Sequence, residues 1–178
     1  MNKKILIVVD MQNDFITGAL GSAEAQAIVP NVAEKIKGWD GLVLFTRDTH
    51  YEDYKGTLEG KKLPIPHCIK NTYGWNIINE LKELSNTNNT IDKYTFGFKD
   101  WAWILDKVFK IYKEDKFEFE LCGVCTDICV VSNALALRMF YPNTKITVDA
   151  SCCAGVTPEK HKAALEVMKS CQIEVINE

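Results

Sequence analysis

Histidine is scarce in this 178-residue chain, which contains only three. An excess of charge is also lacking, because 21 Lys and Arg stand against 24 Asp and Glu. The net charge of -3 provides no basic surface for a nucleic-acid backbone or an anionic membrane. No apolar run approaches the roughly 20 residues of a membrane span. We therefore expect a globular protein that binds neither nucleic acid nor membrane, with a single domain over residues 1–178.

Cysteine is abundant by comparison, with seven residues. An odd number excludes complete pairing in internal disulfides. The first segment, MNKKILIVVDMQNDF, has an apolar run that Asp10 interrupts and that is too short for a secretory signal peptide. These features predict free thiols, most of them buried, and a cytoplasmic location.

Apolar segments rich in β-branched residues alternate with helical patterns along the chain, which is typical of a parallel sheet covered on both faces. We predict an α/β fold with three α/β/α layers and a six-stranded parallel sheet. The predicted strands are Ile5–Val9, Leu42–Thr46, a short strand around Thr90 and Ile91, Phe117–Cys122, Ile146–Asp149 and Ile173–Ile176.

Helical patterns fill most of the intervals between these strands. The predicted helices begin near Pro30 and at Thr157-Pro158-Glu159, and cover Trp75–Leu84, Asp100–Tyr112 and Val130–Phe140. The helix over Val130–Phe140 is apolar nearly all round, so we expect it to be central and buried. Residues 47–72 form a long polar connection, and its length indicates either function or disorder.

Polar or reactive side chains follow five of the predicted strands. They are Asp10, the pair Asp48 and His50, Lys93, the segment Cys125–Cys129, and Asp149. In an open parallel sheet the loops beyond the carboxyl ends of the strands converge on one crevice. We therefore expect a functional site at this edge.

Cys129 is the strongest candidate nucleophile. It falls in the first turn of an apolar helix, where the helix N-terminus favours a thiolate and backbone N–H groups can hold an oxyanion. Cys125 is a rival thiol in the same turn. Asp10 is the best placed group to move a proton, and a nearby Lys93 would keep its carboxylate charged.

The histidines suggest a metal site. His50 stands two residues after Asp48, and His67 follows the rigid segment Pro64-Ile65-Pro66. A carboxylate with two imidazoles suits zinc, iron or manganese. We expect His161, on the surface of a helix between two lysines, to be solvated and inert.

Five motifs in order resemble the nicotinamidases of the isochorismatase-like cysteine hydrolases. They are VVDMQNDFITGALGS, TRDTH, LPIPHCIKNTYGW, DKYTFGF and GVCTDICV followed by an apolar helix, from Ile5 to about Cys153. The resemblance implies a six-stranded parallel sheet and hydrolysis of nicotinamide to nicotinic acid and ammonia, and pyrazinamide as a further substrate. It also implies a possible homo-oligomer.

The resemblance assigns roles to individual residues. It implies a catalytic triad of Asp10, Lys93 and Cys129, with a thioester on the cysteine, and a cis peptide before Cys125. The backbone N–H groups of Cys125 and Cys129 would form the oxyanion hole. The implied ligands of one divalent metal ion, most simply zinc, are Asp48, His50 and His67, with Glu59 as a further carboxylate. The implied substrate-binding residues are Phe15, Leu20, Trp75 and Tyr94, with Phe98 a weaker candidate.

Two alternatives remain at this point. A related hydrolase could cleave another small amide or a ureido compound, although the full set of Asp48, His50 and His67 argues against it. A metal-binding or redox-responsive thiol protein without catalytic activity would explain the cysteines and histidines. This alternative assigns no role to Asp10 and Lys93.

Overall fold

The computed structural model describes residues 3–112 and 116–178. Its strands are β1 Lys3–Val9, β2 Leu42–Asp48, β3 Thr90–Lys93, β4 Phe117–Val124, β5 Lys145–Ala154 and β6 Glu174–Ile176. They form one sheet in the order β3-β2-β1-β4-β5-β6, and each neighbouring pair is parallel. The predicted six-stranded parallel sheet is confirmed.

Helices cover this sheet. They are α1 Asn13–Ile16, α2 Ala23–Ala27, α3 Val29–Lys37, α4 Leu58–Lys62, α5 Asn79–Lys82, α6 Trp101–Lys107, α7 Val131–Phe140 and α8 Pro158–Ser170. A 3-10 turn spans Tyr54–Gly56, and a π-helical turn spans Thr126–Val130. With right-handed crossovers, α3 and α5 pack on one face of the sheet and α6 to α8 on the other.

The sheet is most deeply buried at its central strand, β1. All five residues of Ile5–Val9 are fully buried, since β2 and β4 flank the strand and helices cover it. The order of strands reverses between β1 and β4, so their carboxyl ends border a crevice between oppositely directed connections. This crevice lies where the sequence predicts the site.

Two predicted helices are shorter than expected. In the segment predicted to be helical over Trp75–Leu84, only Asn79–Lys82 is a helix. The residues before it pair with the chain that follows β1: Ile77 bridges Gln12, and the amide of Ile78 donates to the carbonyl of Met11 at 3.0 Å. These long-range contacts replace the helical hydrogen bonds. The other helix, predicted over Asp100–Tyr112, ends at Lys107, because the chain turns at Lys110 with a φ of 53°.

Three further expectations are corrected. The connection over residues 47–72 is not structureless, since it contains the 3-10 turn and α4. Asp149 does not end its strand: a register shift lets β5 continue to Ala154, and the Asp149 carboxylate pairs with Lys35 at 2.6 Å instead of facing the crevice. The third correction concerns α7, which was predicted to be central and buried. It lies in an outer layer and leaves Met139 70% exposed. In the described part of the chain, no helix is long and apolar enough to cross a membrane.

Gly123, near the end of β4, is required by the close approach of β1. Its φ is +114°, which side chains rarely allow, and a Cβ there would lie 2.1 Å from the carbonyl oxygen of Val9. Since Val9 directly precedes Asp10, this approach brings the carboxyl ends of β1 and β4 together.

We predict that Gly123→Ala lowers the free energy of unfolding by more than about 2 kcal/mol, through strain and backbone overlap. Urea denaturation of the purified variant measures this. Gly56→Ala is the matched control, because a Cβ at Gly56 meets no atom within 4 Å. Equal stability of the two variants would contradict the prediction.

Candidate active site

Three buried side chains meet beyond the ends of β1, β3 and β4. The ammonium nitrogen Nζ of Lys93 lies 2.7 Å from Oδ2 of Asp10, and it donates to Sγ of Cys129 at 3.7 Å. Each of the three is at least 95% buried. The structure therefore brings together a carboxylate, an ammonium and a thiol from three separate regions of the sequence.

An unusual backbone conformation sets the direction of the Asp10 side chain. Its φ is 50°, in the left-handed region that aspartate tolerates better than most residues, and this turns the chain out of β1. Oδ1 accepts a hydrogen bond of 2.7 Å from the hydroxyl of Thr46 on β2. Because Oδ2 pairs with the ammonium group of Lys93, both carboxylate oxygens of Asp10 have a polar partner.

Cys129 lies in the π-helical turn that joins β4 to α7. The amide of Val130 donates to the carbonyl of Cys125, five residues earlier, at 3.1 Å. The peptide bond between Val124 and Cys125 is cis, as the resemblance implies. The turn thus places Cys129 at the start of α7 and above the end of β1.

Burial sets the protonation of this trio. Against the expectation that the helix N-terminus favours a thiolate, burial raises the pKa of Cys129 well above its usual range, and this outweighs the attraction of Lys93. The neighbouring negative charges of Asp10 and Asp48 raise the pKa of this thiol further. Burial also raises the pKa of Asp10, although Lys93 opposes the rise. The resting site therefore holds a neutral thiol next to a carboxylate that can accept its proton.

Asp48 links the trio to the histidines. Its Oδ1 lies 3.4 Å from Nζ of Lys93, and its Oδ2 lies 2.8 Å from Nε2 of His50. The backbone of Asp48 is held by the buried amide of Gln12, which accepts from its N–H at 2.7 Å and donates to its carbonyl at 2.9 Å. The same Gln12 nitrogen donates to the carbonyl of Trp75 at 2.9 Å.

Asp48, His50 and His67 each offer one ligand atom, and these atoms lie within 4.8 Å of one another. Nδ1 of His67 lies 2.9 Å from the carbonyl oxygen of Ile65. When Nδ1 donates its proton to this carbonyl, Nε2 is unprotonated and its lone pair faces the cluster. Nε2 of His50 is buried. Oδ2 of Asp48 lies 2.8 Å from it, but no acceptor among the described residues stands in line with an N–H at this nitrogen. This chemistry suits a divalent cation.

Glu59 extends this donor set. Its Oε1 lies 3.6 Å from Nε2 of His50 and 3.7 Å from Nε2 of His67. Zinc bonds of about 2.0–2.1 Å in a tetrahedron place neighbouring ligand atoms roughly 3.4 Å apart, close to these distances. Glu59 is brought here by α4, whose first turn is capped by Thr57. The residues present therefore fit a small divalent metal ion.

The predicted pocket residues are placed differently from one another. The ring of Phe15 lies beside His67, with centroids 5.5 Å apart. Leu20 is half-buried in the loop after α1. Trp75 is buried under Arg47, whose guanidinium carbon lies 3.3 Å from its ring centroid. Tyr94 is 56% exposed and stacks on Tyr51. For all four, a role in substrate binding stays a prediction.

Several residues that hold the site are not identified from the sequence. Tyr54 packs its ring against both His50 and His67, at centroid distances of 4.8 and 5.1 Å. His161 was expected to be solvated, yet it is half-buried, and its Nδ1 lies 2.8 Å from the Thr126 hydroxyl in the turn before Cys129. In the sequence, such residues could be found as polar residues within or next to an apolar segment, as at Thr46 and Gln12.

Comparison with known proteins identifies the family of this chain. The isochorismatase domain family matches residues 4–178. The chain belongs to this family. A nicotinamidase of Schizosaccharomyces pombe is 28% identical, over 97% of this chain and 92% of its own length.

Two solved structures share the isochorismatase fold of this chain. A pyrazinamidase/nicotinamidase of Streptococcus mutans superposes with a TM-score of 0.80 at 28% identity, over 98% of this chain and all of that one. A pyrazinamidase of Pyrococcus horikoshii, solved with zinc, has a TM-score of 0.77 at 28% identity and covers 99% of both chains. This member of the isochorismatase family is an amidohydrolase.

We predict that alkylation of Cys129 by iodoacetamide accelerates with pH beyond pH 9, because the reaction needs the thiolate and burial raises the pKa of this thiol. Mass spectrometry of the Cys129 peptide measures the rate, with glutathione as a reference thiol. A rate that reaches its plateau near neutral pH would show a thiolate in the resting site and contradict the prediction.

Proposed function

We propose that this protein hydrolyses nicotinamide to nicotinic acid and ammonia, with Cys129 as the nucleophile and pyrazinamide as a further substrate. The observation that carries the proposal is the contact of Lys93 with both Asp10 and Cys129, immediately beside the donor set of Asp48, His50 and His67. The nicotinamidases among its relatives support the substrate.

The first half of the reaction transfers the acyl group to sulfur. Asp10 accepts the proton of the Cys129 thiol as Sγ bonds to the amide carbon, and Lys93 stabilises the negative charge that develops on the sulfur. The N–H groups of Cys125 and Cys129 stabilise the oxyanion. Asp10 then returns the proton to the nitrogen, the C–N bond breaks, and ammonia leaves a thioester on Cys129.

The second half releases the acid. Asp10 accepts a proton from a water molecule that attacks the thioester carbon. The C–S bond then breaks, and Asp10 returns this proton to Sγ, which regenerates the Cys129 thiol. A carboxylate whose pKa is raised by burial is suited to both proton transfers, because it binds a proton more readily than an exposed aspartate.

Asp48, Glu59, His50 and His67 would hold a divalent metal ion, and zinc fits their mixed carboxylate and imidazole ligands. When bound, the ion supplies a Lewis acid that can take the pyridine nitrogen of the substrate. Phe15, next to His67, then stands where it can contact the substrate ring. Orientation of the carboxamide over the thiol contributes much of the rate.

We expect purified wild-type protein, supplied with zinc, to release ammonia from nicotinamide, and Cys129→Ala to reduce kcat/KM by at least about 10⁴-fold. A coupled ammonia assay measures both. Cys171→Ser is the control, since Cys171 is a half-buried thiol on the far end of α8. Wild-type activity on an N-carbamoyl compound but not on nicotinamide would transfer the assignment to the ureido alternative.

We also predict one tightly bound zinc per chain, measured by competition with a chromophoric chelator. His67→Ala should weaken zinc binding by at least about 100-fold, and Glu59→Gln by about tenfold. Glu166→Gln, which removes an exposed carboxylate on α8, is the control for the latter. Unchanged zinc affinity in His67→Ala would overturn the ligand assignment.

A cytoplasmic location and a homo-oligomeric state remain predictions. Gel filtration with light scattering determines the oligomeric state directly.

A further inference from the structure

Asn133 is a buried amide on α7 that uses its full hydrogen-bonding capacity. Its Oδ1 accepts from the backbone N–H of Phe98 at 2.9 Å and from the indole N–H of Trp101 at 3.0 Å. Its Nδ2 donates to the carbonyl of Cys129 at 2.8 Å and to the carbonyl of Phe96 at 3.3 Å. An asparagine side chain has two acceptor sites and two donors, so all four are occupied.

The four partners belong to two separate parts of the proposed active site. The carbonyl of Cys129 is part of the π-helical turn that carries the thiol. The other three partners lie in or directly after residues 94–100, which follow Lys93. This loop packs closely on α7: a Cβ at Gly97 would lie 3.0 Å from the carbonyl oxygen of Ser132. Asn133 is thus the bridge between the nucleophile turn and the loop.

We propose that Asn133 is a positioning residue that fixes the loop over residues 94–100 relative to the sulfur of Cys129. This inference rests on the proposed function, in which Cys129 is the nucleophile. The loop carries Tyr94 and Phe98, two residues predicted to bind the substrate. A side chain with four hydrogen bonds to two elements holds their spacing more tightly than packing alone. Its loss frees both elements at once.

The first test substitutes Asn133→Leu, which keeps the approximate volume and adds no charge. We expect Cys129 to be alkylated by iodoacetamide about tenfold faster than in the wild type, because the turn opens more readily. Cys122 and Cys153 are buried thiols in β4 and β5 and serve as internal controls. Their rates should stay unchanged. Faster alkylation of all three thiols would reveal general destabilisation and overturn the proposal.

Two further variants separate the two sides of the bridge. In Asn133→Ser, the hydroxyl can bond the carbonyl of Cys129, four residues earlier, but is too short to reach the loop. We expect slow alkylation of Cys129, as in the wild type. Trp101→Phe removes one donor to Oδ1 and leaves the bond to Cys129 intact, so its Cys129 alkylation should also stay slow. Fast alkylation of Cys129 in either variant would contradict the proposal.

Steady-state kinetics on nicotinamide provide the second readout. Asn133→Leu should lose about 100-fold in kcat/KM, since displacement of the thiol by about 1 Å has this effect. Asn133→Ser should raise KM and retain kcat within about threefold, because only the loop is released. If the wild type hydrolyses no nicotinamide, the proposed function fails, and the alkylation rates still test Asn133. Wild-type kcat and KM in Asn133→Leu would refute the positioning role.

Discussion

The buried ammonium group of Lys93 is the constraint on which the site depends. Removing such a charge from water costs several kcal/mol, and opposite charges must compensate it. Asp10 at 2.7 Å and Asp48 at 3.4 Å do so. These charges outweigh burial and raise the pKa of Lys93 above its usual range, so the lysine stays protonated. The charge in turn keeps both carboxylates turned toward the interior.

The parallel sheet supplies the positions that this ion cluster requires. Asp48 and Lys93 are register partners at the ends of β2 and β3, so their side chains meet without a long loop. Asp10 follows β1 directly, and the close approach at Gly123 brings the end of β4 next to it. A register shift of one residue in β3 would turn Lys93 to the other face and leave Asp10 uncompensated.

Much of the site could be predicted because charged residues at strand ends are visible in the sequence. Asp10, Asp48 and Lys93 each follow or end an apolar run. The side chains that hold the site are not identified from the sequence, since Gln12 and Asn133 act mainly through hydrogen bonds to backbone atoms that are distant in sequence. The same cause shortened the helix predicted from Trp75, where pairing with the chain after β1 replaced helical hydrogen bonds. Such contacts leave no periodic pattern.

The small number of histidines bears on which group can accept the proton of Cys129. His50 and His67 turn their Nε2 atoms to one point with Asp48 and Glu59, so neither is free to serve Cys129. In the proposed reaction, proton transfer falls to Asp10, a carboxylate that would be a weak base at its ordinary pKa. Burial raises the pKa of Asp10 and also that of the thiol. In the proposed reaction, the thiolate therefore forms only as it attacks the substrate, with Lys93 stabilising the charge at that moment.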